Sequence, residues 1–291
     1  MSQVAEYVKM ALMNIRSNKG RSFLTMLGII IGISSVILVI SVGQGISGAV
    51  NNSLTALAGG QLYFYSGGMD VGAGLVMTGQ EEEPIEFTFD DLEELREKIP
   101  HVKGASPVIS GYGQADGPKE SGLTAYFYGG TDALQYNYQE PIIKGRYFNR
   151  SDFDAVSKVC VIRESSAMCL YGSTDVIGNT FEADIYGKSM EFKVIGIRQD
   201  PESSKIMNLL MGLDQVEIET PATVLGEYFD IDVDNFEGFY VYTDGPEYSS
   251  EAAASILRFL RTKYHVADDS TAIQMQDFND SMDQITKILD Y

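Results

Sequence analysis

Residues 23–43 read FLTMLGIIIGISSVILVISVG, a run with no charged side chain. At the helical rise it spans roughly 31 Å, about one bilayer hydrocarbon core. Ser and Thr within it can bond back to the helix's own carbonyls. Gly28 and Gly32 stand four apart, a small-xxx-small pair that lets a second helix approach closely, although glycine is also ordinary in membrane helices. A cleaved signal peptide is the rival, with Ser47-Gly48-Ala49 as its small-residue site. Signal cores run to about 7–15 residues, and this run is longer, so a retained anchor is the reading taken.

Charge on either side of the run sets its direction. The first 21 residues hold Lys9, Arg16, Lys19 and Arg21 against Glu6 alone, and no charge occurs from Ser22 to Met69. The remainder is strongly acidic within a chain of net charge −20. Basic residues beside a span favour the cytoplasm, which puts the acidic body outside the cytoplasm. An acidic body also repels phosphate backbones, so a nucleic-acid partner is excluded. In the head, Val4, Tyr7, Val8, Ala11, Leu12 and Ile15 recur at helical spacing, predicting an amphipathic helix on the inner membrane surface. Ser17-Asn18-Lys19-Gly20 is predicted to break it.

Further along, residues 44–60 continue the long helix and residues 62–65 read as a strand. Residues 67–79 form a Gly-rich, mobile stretch, and Glu81 to Glu83 a solvated charge run. Thr88 is placed to cap a helix with Asp91 three residues on, and Pro100 ends it. Residues 102–110, 123–128, 158–163, 216–220 and 239–243 read as strands. Residues 164–171 form a short helix ending at Gly172. Residues 184–186 and 190–197 pair about a turn at Gly187-Lys188. Ser249 or Ser250 caps a helix carrying Ala253, Ile256, Leu257 and Leu260. Phe278, Met282, Ile285 and Ile288 predict a last helix over residues 276–291, still running at the final residue and so suggesting a fragment. In the loop 198–214, Met207, Leu209, Leu210 and Met211 either pack locally or contact a partner.

Chemistry is sparse. There is no GxxxxGK[ST] loop, so no ATPase site, and His101 and His265 form no HExxH pair. Asp230-Ile231-Asp232-Val233-Asp234 resembles the start of a calcium loop, but Asn235 and Val241 stand where that template needs Gly and Glu. Alternating acids also suit a strand with one wet face. Cys160 and Cys169 read as two buried thiols, with one extracellular bridge as the alternative. No catalytic, cofactor or metal residues are expected, and the chain is not expected to be an enzyme.

The run 14–45, NIRSNKGRSFLTMLGIIIGISSVILVISVGQG, resembles the first membrane helix of MacB-type ABC transporter permeases of the FtsX-like superfamily; Arg21 to Gly32 carry the resemblance. Gly129-Gly130-Thr131-Asp132, Gly145-Arg146-Tyr147-Phe148, Tyr171-Gly172 with Ile177-Gly178, Val194-Ile195-Gly196 and Pro221 fall in the order of that family's core domain. The resemblance implies an α+β fold: one N-terminal transmembrane helix, then an extracytoplasmic αβ porter-like subdomain with an inserted mostly-β sabre-like subdomain. It divides the chain into a cytoplasmic head (1–20), the span (21–50), porter-like parts (51–131 and 221–275), the insertion (132–220) and the start of a helix toward a second span (276–291). It also implies a cell-membrane permease that exports or extracts peptide, antibiotic or lipid-linked cargo by mechanotransmission. ATP would be held by a cytoplasmic ABC ATPase subunit, and no cofactor by this chain. The other partners implied are the membrane, a second permease copy (homodimer) or paralogue, and an extracytoplasmic adaptor. Gly28 and Gly32 would pack the helix; Arg16, Lys19 and Arg21 would anchor it. Alternatives are a signalling permease that controls a cell-wall hydrolase, or a single-span surface receptor or adhesin.

Overall fold

The structure, a computed structural model, describes residues 19–57, 60–67, 69–72, 75–78, 84–201, 215–267 and 270–277, with Glu6, Tyr7, Met10, Met13 and Ser204 besides. The chain divides into two compact units, Met1–Asn52 and Ser53–Tyr291.

The first helix, α1, is Lys19–Leu57, 39 residues long. Lys19 and Gly20 are helical, while Ser17 and Asn18 of the predicted break, and most of the predicted amphipathic head, lie outside the described residues. No proline interrupts it, and Phe23, Leu24, Met26, Ile29, Ile30, Ile33 and Ile37 are exposed on every side. A helix apolar all round suits a membrane rather than a soluble surface. Among the described residues, Lys19–Leu38 is long and apolar enough to cross one. Thr25 Oγ1 donates to Arg21 O (2.9 Å) and Ser35 Oγ to Gly32 O (2.9 Å), so these hydroxyls bond back to their own helix.

The body is built on two principal sheets. One is antiparallel, in the order β13-β1-β12-β4, from β1 (Gln61–Ser66), β4 (Val102–Ser106), β12 (Gly238–Thr243) and β13 (Ile273–Asp277). Alternation along β1 and β12 sends Leu62, Phe64, Phe239 and Val241 to one face. There they meet Leu92 and Leu95 of α2 (Phe89–Lys98) and Ala253, Ile256 and Leu260 of α6 (Ser249–Lys263). Thr88 and Asp91 form the expected capping box of α2. Asp91 is itself buried and also takes Lys263 Nζ (2.6 Å) and the Tyr264 hydroxyl (2.6 Å), tying α2 to the end of α6. A short hairpin, β2 (Met69–Gly72) with β3 (Leu75–Thr78), occupies part of the stretch expected to be mobile.

The other sheet has the order β7-β10-β8-β11-β6-β5-β9. Its strands are β5 (Ile109–Asp116), β6 (Leu123–Gly130), β7 (Ile142–Gly145), β8 (Val159–Arg163), β9 (Thr180–Ile185), β10 (Lys188–Arg198) and β11 (Gln215–Pro221). The long strand β10 is shared: residues 188–193 pair with β9 and residues 193–198 with β8. That sharing closes the sheet on itself and covers edges that would otherwise be open to pairing. β10 bends at a register shift beside Gly196, where a Cβ would lie 2.4 Å from the Arg146 carbonyl, so only glycine fits without a shift. Phe181 and Phe229 stack on Phe192 in the core and Phe127 tilts against them, with α4 (Glu164–Tyr171) and α5 (Ala222–Phe229) packed on it and the short α3 (Arg150–Asp154) bonded to α5 through Thr223.

Several expectations are corrected. Residues 102–110 are not one strand: β4 ends before Pro107, which has no N–H to give a ladder, and β5 joins the other sheet. The larger sheet therefore takes its strands from Ile109 onward, and the division drawn at residue 132 falls inside it. The β9–β10 turn is Tyr186-Gly187, one residue earlier than read, because Ile185 pairs with Lys188. Neither Ser249 nor Ser250 caps α6; a 3-10 turn, Pro246–Tyr248, leads into it and Tyr248 is the cap residue, without a side-chain bond. Residues 276 and 277 belong to β13, not to a helix. The rest of that predicted helix, the charge run at 81–83, Arg16, and Met207, Leu209, Leu210 and Met211 lie outside the described residues.

Candidate functional site

Gly28 and Gly32 sit on one side of α1, and a Cβ at either would meet nothing within 4 Å. The helix therefore carries a groove along that side. Lys19 and Arg21 lie exposed in its first turn.

The acids 230–234 do not form a strand. Asp230 takes a left-handed conformation at the C-terminus of α5 and pairs with Lys188, while Asp232 Oδ1 accepts from Asp234 N (3.2 Å). Val233 is buried and Ile231 packs beside it on the core, which explains the alternation without a strand. Among the described residues no three of His, Cys, Asp and Glu come together to hold a metal. Cys160 is fully buried, Cys169 half-buried, and no disulfide joins them.

The densest polar constellation lies where the two sheets meet. It begins at β1, whose first residue, Gln61, is buried. Gln61 Nε2 donates to the Tyr136 carbonyl (3.3 Å). The turn of 3-10 helix Asp132–Asn137 lies on the antiparallel sheet: Thr131 Oγ1 donates to Ala105 O (2.8 Å), and the Tyr242 hydroxyl donates to Asn137 Oδ1 (3.3 Å). The chain then crosses to the closed sheet. The Tyr138 ring lies beneath two guanidiniums, 4.7 Å from Arg198 and 5.2 Å from Arg163. Such cation–π contacts are strongest where water is excluded.

Arg198 is 2% exposed and grips Glu219 with two nitrogens, Nε to Oε1 at 2.7 Å and Nη2 to Oε2 at 2.8 Å. Its Nη1 donates to the Glu140 carbonyl (2.7 Å), and the Tyr147 hydroxyl donates to Glu219 Oε2 (2.8 Å). Arg163 Nε meets Glu217 Oε2 at 2.5 Å. Burial alone would lower both guanidinium pKa values, but the facing glutamates outweigh it and raise them. Burial and Glu219 hold the phenols of Tyr138 and Tyr147 well above the usual tyrosine range. Nearby, burial raises the Asp200 carboxyl against the hydrogen bonds it accepts from Ser165. This cluster has paired charges and no reacting group free to attack a substrate; it holds two layers together.

None of Gln61, Tyr138, Arg198 or Glu219 stood out in the sequence, although Tyr147 falls within a run that marks the family resemblance. The available signal was a charged residue at an inward strand position: Arg198 closes the apolar run VIGIR, and Glu219 sits in VEIETP.

Residues 22–259 match the family described as the MacB-like periplasmic core domain. The macrolide export ATP-binding/permease protein MacB of Syntrophobacter fumaroxidans is 30% identical over 213 residues, covering 72% of this chain and 27% of that protein. MacB of Chlorobium phaeobacteroides is 26% identical over 293 residues, covering 97% of this chain and 40% of that protein. The chain thus spans well under half the length of these relatives. Among solved structures, the periplasmic region of MacB from Actinobacillus actinomycetemcomitans shares the fold with TM-score 0.56 at 16% identity, covering 79% of this chain and 92% of that one. The extracellular domain of the noncanonic ABC-type transporter YknZ from Gram-positive bacteria does so with TM-score 0.52 at 18% identity, covering 74% and 99%. With a family match that starts inside the apolar helix and runs through nearly all of the described body, the chain belongs to the MacB-like periplasmic core domain family.

Proposed function

We propose that the chain is a permease component of a MacB-type ABC transporter. In this reading α1 spans the cell membrane, Arg16, Lys19 and Arg21 keep the N-terminus cytoplasmic, and the body lies outside the cytoplasm. ATP is hydrolysed by a separate ABC ATPase subunit. Its motion passes along the helices to a porter-like layer, the antiparallel sheet, and to a sabre-like layer, the closed sheet. Gly28 and Gly32 pack α1 against a neighbouring helix or a second copy. The cargo class is peptide, antibiotic or lipid-linked, taken from the outer side rather than through a pore. In support, α1 from Ser22 to Leu38 has no charged side chain that would line an ion path.

The observation that carries the reading is the family match over residues 22–259, which takes in most of the apolar helix together with the body. The test is co-expression with an ABC ATPase encoded beside the gene, followed by isolation from detergent-solubilised membranes. A stoichiometric complex whose ATPase rate depends on the permease is expected. A membrane-embedded protein that assembles with no ATPase would overturn the reading in favour of a surface receptor.

A further inference from the structure

Residues 131–148 touch both sheets in succession. Thr131, Ala133, Tyr136 and Asn137 rest on β1, β4 and β12; Ala133 is set so close that a Cβ on Gly104 would lie 2.6 Å from its own Cβ. Tyr138, Glu140 and Tyr147 are then all held by Arg198, through a stacked ring, a carbonyl and a second ring. Pro141 O also accepts from Gln199 N (3.1 Å). Contacts elsewhere also tie the two sheets together. The crossing after α5 is pinned by Phe87 and Phe236, which exchange both backbone hydrogen bonds (2.8 and 3.0 Å). Phe89 of α2 meets Phe153 edge-on at 4.9 Å, and Arg150 Nη1 reaches Glu93 at 2.7 Å. A hinge needs a few residues free to absorb changes in φ and ψ. Here the 131–148 crossing is bonded along its length to one layer or the other.

We infer that residues 131–148 are a suture, locked by Arg198 and Glu219, that makes the two sheets turn as one rigid lever. Buried ion pairs add little net stability against apolar replacements, and their attested use is to specify one arrangement. In this protein the arrangement specified is the angle between two layers. Displacement arriving at β1 is carried by Gln61 into Tyr136, and by the suture into the closed sheet, with no slack between them. The mechanical consequence rests on the permease reading above; the rigidity itself does not.

The test uses the full chain in detergent without nucleotide. Spin labels are placed at Glu251→Cys on α6 and Glu191→Cys on β10, both exposed, in a Cys169→Ser background; Cys160 is fully buried and stays. The wild-type suture should give one narrow distance distribution. Tyr138→Leu combined with Gln61→Leu leaves apolar side chains at both positions but removes the stacked ring and the donor to Tyr136, and should widen it at least twofold. A broad or two-peaked wild-type distribution would overturn the proposal, and so would a double variant as narrow as wild type. If the double variant does not fold, the wild-type distribution decides alone. Failure of the permease reading is distinguishable, because it shows as a missing ATPase partner while the nucleotide-free distances stay narrow.

Discussion

Arg198 meets Glu219 through two parallel hydrogen bonds, 2.7 and 2.8 Å, with both side chains almost wholly removed from water. The geometry is the guanidinium–carboxylate fork, which gives direction as well as energy. Both residues stand on neighbours of β8, and both reach into the 131–148 crossing, so the pair acts on three elements at once.

Breaking that pair from one side should cost far more than removing it whole. Arg198→Met leaves Glu219 buried without its cation and should destabilise the body by about 3–5 kcal/mol. Arg198→Met with Glu219→Leu should recover most of the loss, leaving a residual of about 1–2 kcal/mol from the unpaired Glu140 carbonyl and Tyr147 hydroxyl. Urea denaturation of the wild type, both single variants and the double variant measures this. Additive losses would show that the two side chains are not coupled.

Asp91 should shape the acid limb of stability. Burial pushes its carboxyl up, but hydrogen bonds from Lys263, Tyr264 and Thr88 outweigh that and hold it below its ordinary value. The contribution is therefore present above the unfolded value of about 3.9 and is lost as pH falls through the lower folded value. Asp91→Asn should be less stable than wild type at pH 7, with the gap narrowing below about pH 4. Thermal unfolding across pH 2–7 follows it. A constant gap at all pH values would remove Asp91 from this role.

Tyr186 holds φ at 53° in the β9–β10 turn with 76% of its surface exposed. A left-handed conformation costs a non-glycine residue about 1–2 kcal/mol, and Asn tolerates it best. Tyr186→Asn creates Asn-Gly at a two-residue hairpin and should raise stability by roughly 0.5–1 kcal/mol. A lowered melting temperature would mean that the ring makes a contact worth more than the strain.

On α1, Gly28→Leu with Gly32→Leu fills the open groove. It should abolish helix–helix association in a membrane dimerisation reporter and lower transport, while the body's melting temperature stays unchanged. Intact association and transport would end the packing role for these glycines.

Periodicity and caps carried the local elements a long way. The charge-free run made α1 legible, the Thr88–Asp91 spacing made α2 legible, and residues 158–163 and 216–220 read as strands that the structure keeps, although β11 runs on through Pro221, which was expected to end it. Pro107 was a visible punctuation mark, yet nothing local showed that the chain changes sheets there. Gln276 and Asp277 were placed at the start of a helix whose apolar spacing begins at Phe278, but β1 had an edge to offer and drew them into β13.

The sequence by itself determined the apolar span, the sign of the charge on either side of it, and most strand and helix identities, because these depend on residues within a few positions of each other. Tertiary structure decided which strands share a sheet, that β10 closes the larger one, and that Arg198 and Glu219 meet. Those outcomes depend on pairings between residues far apart in the chain. A buried arginine shows its purpose only when the carboxylate, carbonyl and rings that satisfy it are brought around it.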